Sequence, residues 1–157
     1  MTATLTDAAS SVDADLARLA DTLGSITDAD LHRAGVGGGW TVAQVVAHIT
    51  VSTLVWLGNL RRLEADPDLT FFFREEVGHD ALGYPPPTIE LALARLAATR
   101  RTLATCLPSM APELLTRTVE IPDLGTMTIE VWTPIITGDL TSHVEQAHDI
   151  LRDRGVL

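Results

Sequence analysis

Three side chains that commonly bind metal ions, His48, Asp139 and His143, fall on the apolar faces of two predicted helices. Asp139 and His143 are four residues apart, which places them about 40° apart around a helix axis and one turn apart along it. A carboxylate and an imidazole at this spacing can hold one divalent ion, and a third ligand from a facing helix leaves positions open for water or substrate. The alternative is structural: Asp139 only orients His143, or lies at the surface.

His48 lies among apolar residues of the second predicted helix, flanked by Val45, Ile49 and Ser52. A buried imidazole needs partners, because an unsatisfied polar group in a core costs stability. Taken alone, the pattern favours a core histidine bonded to a neighbouring carbonyl over a metal ligand.

His148 competes with His143 as a ligand on the last helix. The two are five residues apart, or about 140° around the axis, so an undistorted helix cannot aim both into one site. Glu145 and His148 form a second pair at a spacing of three, but Gln146 and Arg152 share their face. We therefore predict that this second pair is solvated.

Four amphipathic helices are predicted from the hydrophobic spacing. The first covers about residues 7–23, the third runs from Thr88 to Leu107, and the last ends at Asp153 after starting at either Thr128 or Pro134. The second runs from Thr41 to Leu63, because Thr41 and Gln44 have the spacing of a capping box, flanked by Trp40 and Val45 as a hydrophobic staple.

These elements predict an all-α four-helix bundle that forms a single domain over residues 1–157. A long crossover between the second and third helices allows those two helices to run in the same direction. Residues 116–131 are expected to form a small hairpin before the last helix. The glycine-rich segment 35–39 is interpreted as a linker, because neither a preceding strand nor a following lysine makes it a phosphate loop.

Composition narrows the class of protein. The 157 residues carry a formal charge of −10, which disfavours binding to nucleic acid or to an anionic membrane surface. A secretory signal is missing, and the single cysteine, Cys106, cannot form an internal disulfide, so we expect a cytoplasmic protein. Cys106 has no acid or histidine spaced to activate it and is predicted to be a small core residue.

Residues 69–87 are predicted to form part of the mouth of the site, because they include Phe71, Phe72 and Phe73 in a chain poor in aromatic residues. The alternative is that these phenylalanines only cap the bundle core. Arg61, Arg62 and Arg74 are candidates to hold an anionic substrate. Such a substrate would approach against the overall negative charge of the protein.

Two segments resemble the DinB-like superfamily. The stretch WTVAQVVAHI from Trp40 to Ile49 is similar to the Trp, Ser/Thr and His signature of its second helix. The stretch HVEQAHDILRDRG from His143 to Gly155 is similar to its closing helix, in which Gln and Gly follow a metal-binding His at the distances of Gln146 and Gly155. The resemblance implies a four-helix bundle with zinc or nickel bound by His48, Asp139 and His143.

One position departs from the usual pattern of that superfamily. Most members have His where this chain has Asp139, whereas the branch that resembles mycothiol-dependent maleylpyruvate isomerases has Glu. A His, Asp, His set suits zinc and also harder ions such as manganese or iron, so the identity of the metal stays open.

The resemblance also implies an activity that uses a low-molecular-weight thiol such as mycothiol. The thiol is either transferred to a small electrophilic substrate or promotes cis-trans isomerisation of that substrate. In that interpretation His48, Asp139 and His143 are the catalytic metal ligands, and Arg61, Trp56 and Gln146 help to bind the thiol cosubstrate. The partners are a small-molecule substrate and the thiol, with a homodimer as an open expectation. Two alternatives remain at this stage: an enzyme of secondary metabolism that uses metal-activated water or no metal, and a non-catalytic binding bundle.

Overall fold

The computed structural model describes residues 4–35, 38–71 and 84–157. The order of its elements is α1 (Leu5–Leu23), α2 (Asp28–Leu31), α3 (Val42–Ala65), α4 (Ile89–Cys106), β1 (Thr118–Ile121), β2 (Gly125–Thr128) and α5 (Ile129–Asp153). Two short 3₁₀ turns, Leu107–Ser109 and Pro112–Thr116, join α4 to β1. The predicted all-α bundle with a small hairpin before the last helix is therefore confirmed.

Contacts between helices α3, α4 and α5 fix their directions. The Arg61 guanidinium near the end of α3 donates to the carbonyl of Cys106 at the end of α4, so these helices run parallel, as the crossover allows. His48 meets His143 and Trp56 meets Trp132, so α3 and α5 run antiparallel.

Helix α1 runs parallel to α5. The Thr141 hydroxyl donates to Asp15, and about two turns further along α5 His148 bonds to Thr22. In chain order, the helices α1, α3, α4 and α5 therefore run up, down, down and up. All four contribute to one apolar core that lies between them.

Capping residues explain where the helices begin. Thr41 and Gln44 form the predicted reciprocal capping box at the start of α3, with N to O distances of 2.8 and 3.2 Å. Helix α1 begins at Leu5, earlier than predicted, because Thr4 makes a capping box with Asp7. A third box, Thr27 with Asp30, starts the short helix α2, which the hydrophobic spacing did not predict.

The last helix begins at Ile129, the earlier of its two expected starts. Thr128 is the N-cap, and its hydroxyl accepts from the backbone N–H of Val131. Pro134 therefore lies inside α5, where it removes one backbone donor. Strand β2 leads directly into this helix, so the hairpin sets the position of its first turn.

Arg117 forms hydrogen bonds that hold the end of α3 and the segment after it in place. Its guanidinium donates to the backbone carbonyls of Leu63, Asp66, Pro67 and Leu69. The chain then runs beside β1, where the N–H of Glu120 donates to the carbonyl of Thr70 over 2.7 Å. Phe72, Phe73 and Arg74 lie outside the described residues, so the predicted mouth stays a prediction beyond Phe71.

Helix α3 is the most apolar of the described helices. Within the described parts of the chain it is the one helix that is long and apolar enough to cross a membrane. However, 61% of its most apolar stretch is buried inside the bundle. A core helix of a soluble protein has the same properties. Most of this apolar stretch of α3 thus packs inside the bundle.

Candidate metal centre

The structure brings His48 of α3 together with Asp139 and His143 of α5. One ligand atom from each residue lies within 4.8 Å of the other two. Both histidines are half-buried, whereas the Asp139 side chain is 48% exposed. The group therefore lies at the seam between two antiparallel helices and can be reached from solvent.

Gln146 orients the imidazole of His143. The side-chain oxygen of Gln146 lies 2.9 Å from Nδ1 of His143, three residues away on the same helix. Because an amide oxygen only accepts, Nδ1 carries the proton and Nε2 presents its lone pair toward the seam. Gln146 thus selects the tautomer that a metal ligand needs.

Asp139 lies beside His143 without orienting it. The distance from Oδ1 of Asp139 to Nε2 of His143 is 3.8 Å, longer than a hydrogen bond. The alternative in which this carboxylate only orients the histidine therefore does not describe the geometry, whereas Asp139 does lie at the surface, as the other alternative predicts. Both groups instead present an electron pair to the same small space.

His48 completes the group from the facing helix. Its ring centroid is 4.3 Å from that of His143, with an angle of 69° between the planes. The Ser52 hydroxyl, one turn along α3, is 3.5 Å from Nε2 of His48. His48 therefore lies at the edge of the core, not deep within it.

The indole ring of Trp40 contacts the imidazoles of both His48 and His143. Its ring stacks on His143 at 5.6 Å, with 10° between the planes, and meets His48 edge-on at 4.9 Å. The sequence pattern placed Trp40 in the staple that starts α3 and in the signature shared with the DinB-like superfamily, but did not predict that it contacts both imidazoles. The same capping motif that begins the helix thus also holds an indole over the site.

The donor set fits a divalent cation. Two imidazoles and one carboxylate within mutual reach are ligands that zinc, manganese and iron accept. Three protein ligands leave coordination positions open on the exposed side, where Asp139 lies. The residues present are therefore those that a catalytic metal site needs.

His148 does not belong to this group, but the prediction that it is solvated was wrong. It is buried between α1 and α5, and its Nε2 lies 2.9 Å from the hydroxyl of Thr22. Burial lowers the pKa of His148, and Glu145, 3.9 Å away, opposes that shift only partly. The face of α5 that carries His148 packs on α1, which hydrophobic spacing alone did not reveal.

The other residues assigned to cofactor binding lie farther along α3. Trp56 is buried against Trp132, about 12 Å along the axis from His48. Arg61, about 20 Å along the axis from His48, bonds to Glu64 and Ser109. Of the three, only Gln146 touches a residue of the ligand group, and the assignments of Trp56 and Arg61 stay predictions.

Comparison with known proteins agrees with this architecture. YfiT from Bacillus subtilis, described as a probable metal-dependent hydrolase with an unusual four-helix bundle topology, is similar in structure, with a TM-score of 0.76. The two are 19% identical in sequence, and the match covers 96% of this chain and 87% of that one. No curated protein matches the sequence significantly. The family model of the DinB superfamily matches residues 11–147, and the chain therefore belongs to the DinB superfamily.

Proposed function

We propose that this protein is a metal-dependent enzyme that activates a low-molecular-weight thiol, such as mycothiol, for reaction with a small electrophile. The observation that carries the proposal is the approach of His48, Asp139 and His143 to within 4.8 Å at a half-exposed seam. His48, Asp139 and His143 would hold a divalent cation, which when bound would lower the pKa of a coordinated thiol or water and so supply a nucleophile at neutral pH.

The surrounding residues prepare this site. Gln146 keeps the proton of His143 on Nδ1, and Ser52 lies beside His48. Trp40 covers one side of both rings, which excludes water there and leaves the side of Asp139 for substrate. These contacts hold the donor atoms in position before any ligand arrives, which is what preorganisation requires.

Hydrolysis is the second candidate function. It is favoured by the similarity to YfiT, whose description is that of a probable metal-dependent hydrolase. The same three donors and the same open side would serve it, with water in place of the thiol. The two candidates differ in the cosubstrate and share the metal site.

The first experiment measures metal content. We expect about one zinc, nickel, manganese or iron ion per chain in the purified wild-type protein, and a loss of most of it in His48→Ala, Asp139→Ala and His143→Ala. His32→Gln is the matched control, because His32 lies outside the group and bonds to the carbonyl of Pro87. Absence of metal from the wild-type protein, even after incubation with each ion, contradicts both candidates.

The second experiment separates the two candidates. The metal-loaded protein is incubated with mycothiol, bacillithiol or cysteine and a panel of electrophiles, and consumption of thiol is followed. A parallel assay follows hydrolysis of nitrophenyl esters without thiol. Metal-dependent consumption of thiol that His143→Ala abolishes supports the first candidate, whereas ester hydrolysis with no consumption of thiol supports the second and contradicts the first.

A further inference from the structure

The two helices that carry the ligand group are uncharged along the stretch beside it. No charged residue occurs from Val42 to Leu60 of α3, and none occurs between Glu130 and Asp139 of α5. In a chain in which charged residues make up 20%, a helix face that is partly open to water would ordinarily carry several. The stretch beside the site is thus unusually apolar.

Large apolar side chains are exposed on this stretch. Leu54 is 47% exposed, Val131 is 56% exposed and Ile135 is 46% exposed. Val51 and Val55 of α3 are half-buried beside them. We call these five residues the apolar face; exposed apolar surface beside a polar site commonly marks a place where a ligand binds.

The apolar face is continuous with the ligand group. On α5, Val131, Ile135, Asp139 and His143 follow one another at four-residue spacing, so they lie on successive turns of one side of the helix. On α3, Val51 follows His48 after three residues and Val55 follows Val51 after four, so these residues also share one side of their helix. Because α3 and α5 are antiparallel, both rows extend in the same direction from the site.

A cavity borders the apolar face on its far side. It has a volume of about 330 Å³, lies between α3 and α4, and is lined in part by Val51, Leu54 and Ala98. The two arginines at the end of α3 are engaged elsewhere, since Arg61 bonds to Glu64 and Arg62 bonds to Asn59. Arg95 of α4 also lines the cavity, and its guanidinium donates to the backbone carbonyl of Tyr84. The apolar face itself therefore offers contact area to an alkyl or aryl group and contributes no charged side chain.

We propose that the substrate at this site has an uncharged apolar body, which lies on the apolar face while its reacting group reaches His48, Asp139 and His143. The inference rests on the proposed metal-dependent function and specifies its substrate class. Ile135 is then a residue that determines specificity, since it lies one turn from Asp139 at the start of the apolar face.

The test uses a series of metal-chelating ligands that differ only in the tail. Binding of acetohydroxamate, butanohydroxamate and hexanohydroxamate to the metal-loaded protein is measured by calorimetry. We expect affinity to rise by up to about fourfold per added methylene, which corresponds to about 0.8 kcal/mol for a fully buried group. A hexano chain that ends in a carboxylate should lose this gain.

Two matched variants test whether the alkyl chain of the hydroxamate lies on the apolar face. Ile135→Asp should abolish the gain with chain length, so that hexanohydroxamate binds this variant no more tightly than acetohydroxamate does. Leu91→Asp is the control, because Leu91 is also partly exposed, at 38%, but lies on α4. An affinity that does not depend on chain length in the wild-type protein, or equal losses in the two variants, overturns the proposal.

Failure of the proposed function gives a different pattern. If neither metal nor acetohydroxamate binds, methyl NMR of the metal-free protein with 1-hexanol still tests the apolar face: shifts at Leu54, Val131 and Ile135 support it, and no shifts overturn it. Two further outcomes also overturn it. One is a dimer that Ile135→Asp converts to a monomer, and the other is a loss of thermal stability in Ile135→Asp but not in Leu91→Asp, which indicates that the chain itself covers this face.

Discussion

The side-chain oxygen of Gln146 accepts a hydrogen bond from Nδ1 of His143, one turn away on α5. Removal of the acceptor in Gln146→Leu frees the imidazole to rotate or to change tautomer, so we expect metal affinity to fall by about 10- to 100-fold. Gln146→Glu keeps an acceptor at this position and should retain the affinity. Competition with a chelating dye measures both, and a Gln146→Leu variant that binds metal as tightly as wild type contradicts this role.

His143 and His148 should respond differently to replacement by alanine. His143→Ala removes a donor from the ligand group and should abolish metal binding and activity. His148→Ala should keep the metal but lower the free energy of unfolding by about 1–3 kcal/mol, because His148 is buried and bonds to Thr22. Metal analysis and urea denaturation of both variants check this, and loss of metal in His148→Ala would mean that the wrong face of α5 was assigned.

The buried His148 also predicts how stability depends on pH. Burial lowers the pKa of His148 in the folded protein below its usual 6.5, so the unfolded chain binds the proton more readily. The contribution of His148 is therefore complete above about pH 6.5 and is lost as the pH falls below that value, by at most about 1.4 kcal/mol per pH unit. Denaturation of the metal-free protein from pH 7.5 to 5.0 should show a steeper loss in wild type than in His148→Gln.

Replacement of the half-buried Arg117 should cause a large loss of stability. Arg117→Leu removes the donor to the carbonyl of Leu63 in the last turn of α3 and to the carbonyls of Asp66 and Pro67 just after it, and it removes a cation from the negative end of that helix, which should cost about 2–3 kcal/mol. The matched control is Arg101→Leu on the exposed side of α4, for which we expect a change within about 0.5 kcal/mol. Equal unfolding midpoints in thermal denaturation of the two variants would contradict the role of Arg117.

Local signals explain which parts of the fold could be predicted. The start of α3 depends on Thr41 and Gln44, three residues apart, so sequence alone was sufficient. The starts of α1 and α2 depend on the same motif with aspartate in place of glutamine, and a search for that variant would have found them. Asp139 and His143 could be placed on one face because their spacing on a helix is fixed.

Contacts between distant elements could not be predicted in the same way. Whether His148 is exposed depends on α1 packing against its side of α5, and no feature of residues 143–153 specifies that neighbour. Trp40 is similar, because its stacking on His143 depends on how α5 crosses the start of α3. Such positions are set by the three-dimensional arrangement of the helices, which hydrophobic periodicity does not encode.

The ligand group joins residues that are far apart along the chain, with His48 on α3 and both partners on α5. An ion held by all three closes a loop from residue 48 to residue 139 and binds only when the two helices have met. Because the ion binds the folded bundle and not the unfolded chain, it stabilises the fold by mass action, by about 2.7 kcal/mol when the free ion is present at 100 times its Kd. Loading the site should therefore slow complete unfolding of the bundle, and not merely stiffen the seam at which the ion sits.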